Sequence, residues 1–260
     1  MTVQTAMTAA RPSYKELHPQ LRAELQQAGA VATLLDLEGE ELLRRMPVEG
    51  QEAFERWCKV WEPQQHGGFC GPASAVAALH FLGLDSARAW TQQRIYEEVI
   101  CPKQLFTRGL SRGQCKTRIP ESVKNDGLSF ANGVIMLKIL SDRFQVFEHS
   151  SFDEVQIAQQ LRKDLEDAFE KGEEMCILVN YIRLGGGHWS PLAGWSNGHV
   201  LILDTNQQRL PPHWVSLETL VESLCRYNRA TERPRGYVVL RCAETERHQK
   251  RQRSPKVDGG

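Results

Sequence analysis

The sequence predicts an α+β fold, with a helical first half and an antiparallel sheet in the second. Residues 40–45 and 52–61 place apolar and charged side chains three and four apart, which is the period of a helix. Later the pattern changes to short β-rich runs: CILVNYI over 176–182, HWSPLAGW over 188–195, VLILD over 200–204 and YVVLRC over 237–242. Gly185-Gly186-Gly187 and Asn197-Gly198 separate the first three runs, and such turns favour antiparallel hairpins. Helices followed by an antiparallel sheet make an α+β domain.

A chain of 260 residues with 41% hydrophobic content can bury one sizeable core. The division expected is an N-terminal tail and first helix over 1–30, a catalytic domain over 31–242, and a disordered charged tail over 243–260. Lys plus Arg and Asp plus Glu both number 32, so the net charge is zero and no global field draws the chain to nucleic acid or an anionic membrane. No run approaches the roughly 20 apolar residues of a membrane span, and no signal peptide opens the chain, so a cytoplasmic protein is expected. Seven cysteines are scattered without a CxxC pair, which predicts free thiols and supports neither a disulfide framework nor a zinc site.

The helix that carries chemistry begins at Cys70. Gly71-Pro72-Ala73-Ser74 leads into AVAALHFL and stops at Gly83, with proline in the first turn and glycine at the end. A thiol is a nucleophile only as thiolate, and the positive end of a helix beside an imidazole lowers its pKa. Gln64 stands six residues earlier, before Gly67-Gly68, from where its carboxamide could join the Cys70 N–H in an oxyanion hole. His188 follows three glycines and opens a strand, so its ring could project over the helix end as the base. Among the rival histidines, His80 lies inside the helix, His149 and His248 lie in polar settings, and His66 sits in a loop too close to Cys70 to be held rigidly.

Asp204 closes VLILD and could orient the His188 ring and stabilise its imidazolium. Register tests this. A strict two-residue turn at Asn197-Gly198 pairs residues whose numbers sum to 395 and sends Asp204 to the face opposite His188. The triad therefore requires one residue of slip, from a three-residue loop over 196–198 or a bulge near Pro191, which cannot donate to the ladder.

The segments QQHGGFCGPAS, GGGHWSPLAGW, VLILDTNQQRLPPHWV and RPRGYVVL, in this order from about Leu37 to Cys242, resemble the catalytic domain of the phytochelatin synthase family, the glutathione γ-glutamylcysteinyltransferases. The resemblance implies a papain-like cysteine protease fold with Cys70 as nucleophile, His188 as base, Asp204 as orienting acid and Gln64 in the oxyanion hole. It further implies that Arg235 binds substrate near the active site. The reaction implied is attack on the Cys–Gly bond of glutathione, release of glycine, and transfer of γ-glutamylcysteine from a thioester to a second glutathione, to a phytochelatin chain or to water. No tightly bound cofactor or protein-held metal is implied. Heavy-metal ions such as Cd, Zn and Cu enter as glutathione thiolate complexes, and members of the family can form homodimers.

Two departures from the family pattern stand out. Gln207 occupies the position where the family usually has arginine, so Arg209, or Arg183, is a candidate to recognise substrate carboxylates instead. The chain also ends soon after the catalytic domain, without a cysteine-rich C-terminal region, and short members resemble glutathione hydrolases at least as much as synthases. Other readings of the same motifs are a papain-like peptidase of the bacteriocin-leader type and a catalytically inactive binding domain. PPHWV and RPRGYVVL favour the first reading over the peptidase, and the complete set of Cys70, His188, Asp204 and Gln64 argues against an inactive domain.

Overall fold

A computed structural model describes residues 19–242 apart from 86, 104, 106–126, 141–142 and 229–230. Cys115, most of the expected N-terminal tail and the whole charged tail over 243–260 lie outside the described residues. The described chain begins with α1 (Pro19–Gln27), β1 (Ala30–Thr33), α2 (Leu37–Arg44), α3 (Val48–Val60) and α4 (Cys70–Phe81). A short helix, α5 (Gln92–Ile95), runs on through a π-helical turn over Tyr96–Ile100, and α6 (Phe130–Leu140), β2 (Phe144–His149) and α7 (Glu154–Phe169) follow. The remainder is β3 (Met175–Arg183), β4 (Gly186–Ser196), β5 (His199–Ile202), β6 (His213–Ser216), α8 (Leu217–Cys225), the small hairpin β7 (Tyr227–Asn228) and β8 (Arg233–Pro234), and β9 (Gly236–Cys242).

Several helices start where a side chain meets the free first-turn N–H groups. Asp36 accepts from Gly39 N at the head of α2, Asp153 from Gln156 N at α7 and Ser216 from Thr219 N at α8. The start of α4 differs: the residue before it is Phe69, whose side chain caps nothing. Every residue of α4 except His80 is buried. A helix apolar on all sides belongs in a core, and α4 lies against β4 and α3.

Seven strands form one antiparallel sheet in the order β1-β6-β5-β4-β3-β9-β2. The fold is thus α+β, although α7 and α8 fall among the strands of the second half while β1 and β2, from the first half, supply the two edges. Among the described residues no helix is long and apolar enough to cross a membrane.

The β4–β5 hairpin closes with Ser196 opposite His199 across a two-residue turn in which Asn197 (φ 51°) and Gly198 (φ 78°) are both left-handed. Near the turn the partners sum to 395, as in Trp195 with Val200, but farther along Leu192 faces Ile202 and the sum is 394. The slip comes from a bulge at Ala193, between those pairs, and not from a longer loop. Leu203 N then donates to Pro191 O at 3.0 Å, so the ladder continues beyond the formal end of β5. Asp204 lies just past the strand, and the bulge has returned it to the side of the sheet that carries His188.

Candidate active site

At the bare start of α4 the Gly71 N–H meets the Cys70 sulfur. Gly71 lets the helix start pack close to Leu128, whose Cδ1 an added Cβ would meet at 3.0 Å. Burial alone would push the Cys70 thiol up, but the hydrogen bond and charge of His188, with the backbone N–H groups of Trp189 and Gly71, outweigh it and hold the thiol below its ordinary value. Other cysteines move the opposite way: burial pushes Cys58 and Cys225 up to about 11, and Cys176 further. Among the described residues Cys70 is therefore the thiol set apart by its surroundings, and it forms no disulfide there.

His188 stands near the start of β4, opposite Tyr181 of β3. Its Nε2 lies 3.0 Å from Asp204 Oδ1, which leaves Nδ1 as the nitrogen to face the thiol. Burial disfavours the charged ring, yet the charge of Asp204, its hydrogen bond and the neighbouring Cys70 more than compensate and lift the His188 pKa to about 9. Asp204 is fully buried, which would raise its pKa, but His188 and Arg183 around it hold it below the usual carboxylate value. Thiolate and imidazolium thus stabilise each other.

Asp204 is held from several sides. Asn206 N donates to Oδ1 at 2.8 Å, and the Tyr181 hydroxyl donates to Oδ2 at a longer 3.4 Å. Arg183 Nε lies 2.9 Å from Oδ2, an ion pair whose N–H direction is not aligned for a hydrogen bond. Thr205 is also buried, with its hydroxyl 3.1 Å from Gln64 Oε1, 3.3 Å from His188 Nε2 and 3.2 Å from Trp189 O.

Gln64 differs from expectation. Its backbone N–H donates to Thr205 O at 2.8 Å, which brings the loop to the site. The Nε2 amide, however, donates to the carbonyls of His66 (2.8 Å) and Gly67 (2.7 Å), so both hydrogens are spent within the loop and neither is free for an oxyanion.

Arg235 is brought to the site and Arg209 is not. The Arg235 side chain lies along Gly187, where an added Cβ would come within 2.2 Å of Nη1, and Nη1 donates to the fully buried Asn180 at 3.2 Å. Burial lowers its pKa while the Cys70 charge acts against that shift, so Arg235 faces the nucleophile electrostatically. Arg209 instead occupies an exposed turn that folds back on Asn206 O and lines a recess of about 660 Å³ with Gln20, Leu21 and Glu24 of α1. The turn is anchored there because Leu210 packs in a separate cluster with Leu25 and Ala30, which carries Arg209 toward α1. Gln207, at the departing position, lines the same recess.

Sequence reasoning did not find Tyr181, Asn180, Thr205 or His213. Tyr181 was accessible in principle, since a hairpin through the glycines places it opposite His188, whereas nothing in the spacing signals Thr205. His213 is fully buried; its Nδ1 lies 2.9 Å from Pro211 O, and burial keeps the ring neutral despite the pull of Asp204. Among the described residues no group of three or more His, Cys, Asp or Glu side chains is arranged to hold a metal ion.

A family model described as phytochelatin synthase matches residues 27–237. The chain is 26% identical over 198 residues to glutathione γ-glutamylcysteinyltransferase 1 of Lotus japonicus, covering 73% of this chain and 36% of that protein. It is 26% identical over 213 residues to the glutathione γ-glutamylcysteinyltransferase of Schizosaccharomyces pombe, covering 78% of this chain and 47% of that one. The chain therefore spans less than half the length of these relatives. Among solved structures, the peptidase domain of Streptococcus ComA aligns over 70% of this chain and 97% of its own, with 12% identity and a TM-score of 0.38.

Proposed function

The chain belongs to the phytochelatin synthase family, and on that premise we propose that it is a cysteine-dependent γ-glutamylcysteinyltransferase acting on glutathione. The observation that carries the reading is the junction of Cys70, at the uncapped start of α4, with a His188 whose far nitrogen is 3.0 Å from Asp204. The Cys70 thiolate attacks the carbonyl carbon of the Cys–Gly bond. The negative charge that develops on oxygen is met by the Cys70 N–H, with Gln64 joining once one loop carbonyl gives up its amide hydrogen.

The C–N bond then breaks, and His188 gives its proton to the departing glycine amine, leaving γ-glutamylcysteine as a thioester on Sγ. Neutral His188 next takes a proton from the incoming amine of a second glutathione, or from water. That nucleophile attacks the thioester, the C–S bond breaks, and thiolate and imidazolium are restored. Arg235, whose hydrogen bond to Asn180 holds it beside Gly187, is the residue proposed to bind a substrate carboxylate. Heavy-metal ions act through glutathione thiolates as substrates, in a cytoplasmic enzyme with no tightly bound cofactor.

Incubating the protein with glutathione, with and without Cd²⁺, tests this reading. Free glycine with longer γ-glutamylcysteine chains is the result expected of a synthase, and glycine with γ-glutamylcysteine alone marks a hydrolase. No glycine under either condition rejects the proposal.

A further inference from the structure

Arg183 is the last residue of β3, where the chain turns through Leu184 (φ 49°) and Gly185 (φ 79°) and returns with Gly186 opposite Arg183. Both turn residues are left-handed, as a two-residue hairpin requires. Paired residues share a face, so Arg183, Tyr181 and His188 project from the same side of the sheet. The Arg183 side chain is only 5% exposed, its Nε is 2.9 Å from Asp204 Oδ2, and its Nη2 is 3.4 Å from His188 Nε2. A buried cation thus touches both the acid and the base of the candidate triad. Its Nε edge pairs in charge with Asp204 and its Nη2 lies against the ring of His188, so the guanidinium sits within the triad.

We infer that Arg183 is a positioning residue for the Cys70–His188 pair: it holds Asp204 by Oδ2 so that Oδ1 faces His188, and its charge tempers the grip of Asp204 on the imidazolium. The two carboxylate oxygens are divided accordingly, Oδ1 meeting His188 and Asn206 N, Oδ2 meeting Arg183 and Tyr181. An acid that must surrender its proton to a leaving amine is weakened by an unopposed buried carboxylate. Arg183 supplies the opposition, and a hairpin of only two turn residues fixes the guanidinium in place.

The inference rests on Cys70 and His188 as the reacting pair but not on glutathione as the substrate, and its test needs no turnover. Among the described residues the ionisable groups facing His188 are Tyr181 and Arg183 from β3, Cys70 from α4, Asp204 after β5 and His213 from β6. The measurement is the NMR titration midpoint of the His188 ring in the full chain labelled with [13C]histidine, for wild type, Arg183→Gln and Arg183→Lys. Removing the cation in Arg183→Gln is expected to raise the midpoint by about one pH unit, and Arg183→Lys, which keeps the charge, to leave it within about half a unit of wild type.

A folded Arg183→Gln protein whose midpoint is unchanged or lowered overturns the inference and leaves Arg183 a structural ion pair. If Arg183→Gln does not fold, Arg183→Lys decides: a midpoint near wild type supports the role of charge, and a rise of about one unit overturns it. Failure of glycine release from glutathione would count against the proposed reaction while leaving this titration interpretable.

Discussion

The side chains around Cys70 carry roles that separate on substitution. Cys70→Ser keeps the shape of the site but replaces a thiol held below its ordinary pKa with a hydroxyl that His188 cannot ionise. Glycine release from glutathione should fall to background, and no thioester should be trapped by mass spectrometry. Cys58→Ser, whose parent thiol is pushed up to about 11, should leave the rate within about twofold, as for a thiol inert at neutral pH. Thr205 is a subtler case. Its one hydroxyl hydrogen is shared between Gln64 Oε1 and Trp189 O while its oxygen lies 3.3 Å from His188 Nε2, so it ties the Gln64 loop to the base. Thr205→Val removes the hydroxyl at constant shape and should lower kcat about tenfold with little change in KM, while Thr205→Ser restores it, as for the loss of one buried hydrogen bond. Equal kcat in the Val variant would show that the tie contributes nothing.

At the scale of the elements, close approach sets the constraints. Gly133 of α6 faces the indole of Trp189, where an added Cβ would come within 2.2 Å of the ring, and Trp189 Nε1 donates to Leu128 O at 3.0 Å. Gly133→Ala must displace a fully buried indole next to His188. Overpacking of that kind costs about 2 kcal/mol, so the melting temperature should fall by roughly 5 °C in a thermal scan. An unchanged melting temperature would show that α6 shifts freely. Much of this level was legible in the sequence: the helix after Cys70, the four long β-rich runs and the need for one residue of slip before Asp204 all follow from local pattern. The edge strands were not, because AVAT in β1 is only four residues, two of them alanine, and β2 is largely exposed, leaving too weak an apolar period to read. The Ala193 bulge had no local signature beyond the nearby proline, since a bulge is chosen by the partners of both strands. The same limit hid the destination of Arg209, which a distant cluster at α1 decides.

For the molecule as a whole, pH dependence follows from which buried groups change charge together. Cys70 is held below its ordinary value, so the thiolate is present above that lowered pKa and is lost as pH falls through it. His188 is raised to about 9, so the imidazolium is present below that value and is lost as pH rises through it. Between the two limits the pair is charged and the leaving amine has its proton donor. Burial pushes the Tyr181 and Tyr237 hydroxyls up and the His213 ring down, so none of the three titrates alongside His188. The kcat/KM for glycine release, measured from about pH 4 to about pH 10, should therefore trace a bell with its alkaline limb near 9, where the essential acid of the free enzyme titrates. An alkaline limb near the ordinary imidazole value of about 6.5 would mean that Asp204 does not support His188 during turnover, and the triad reading would fail with it.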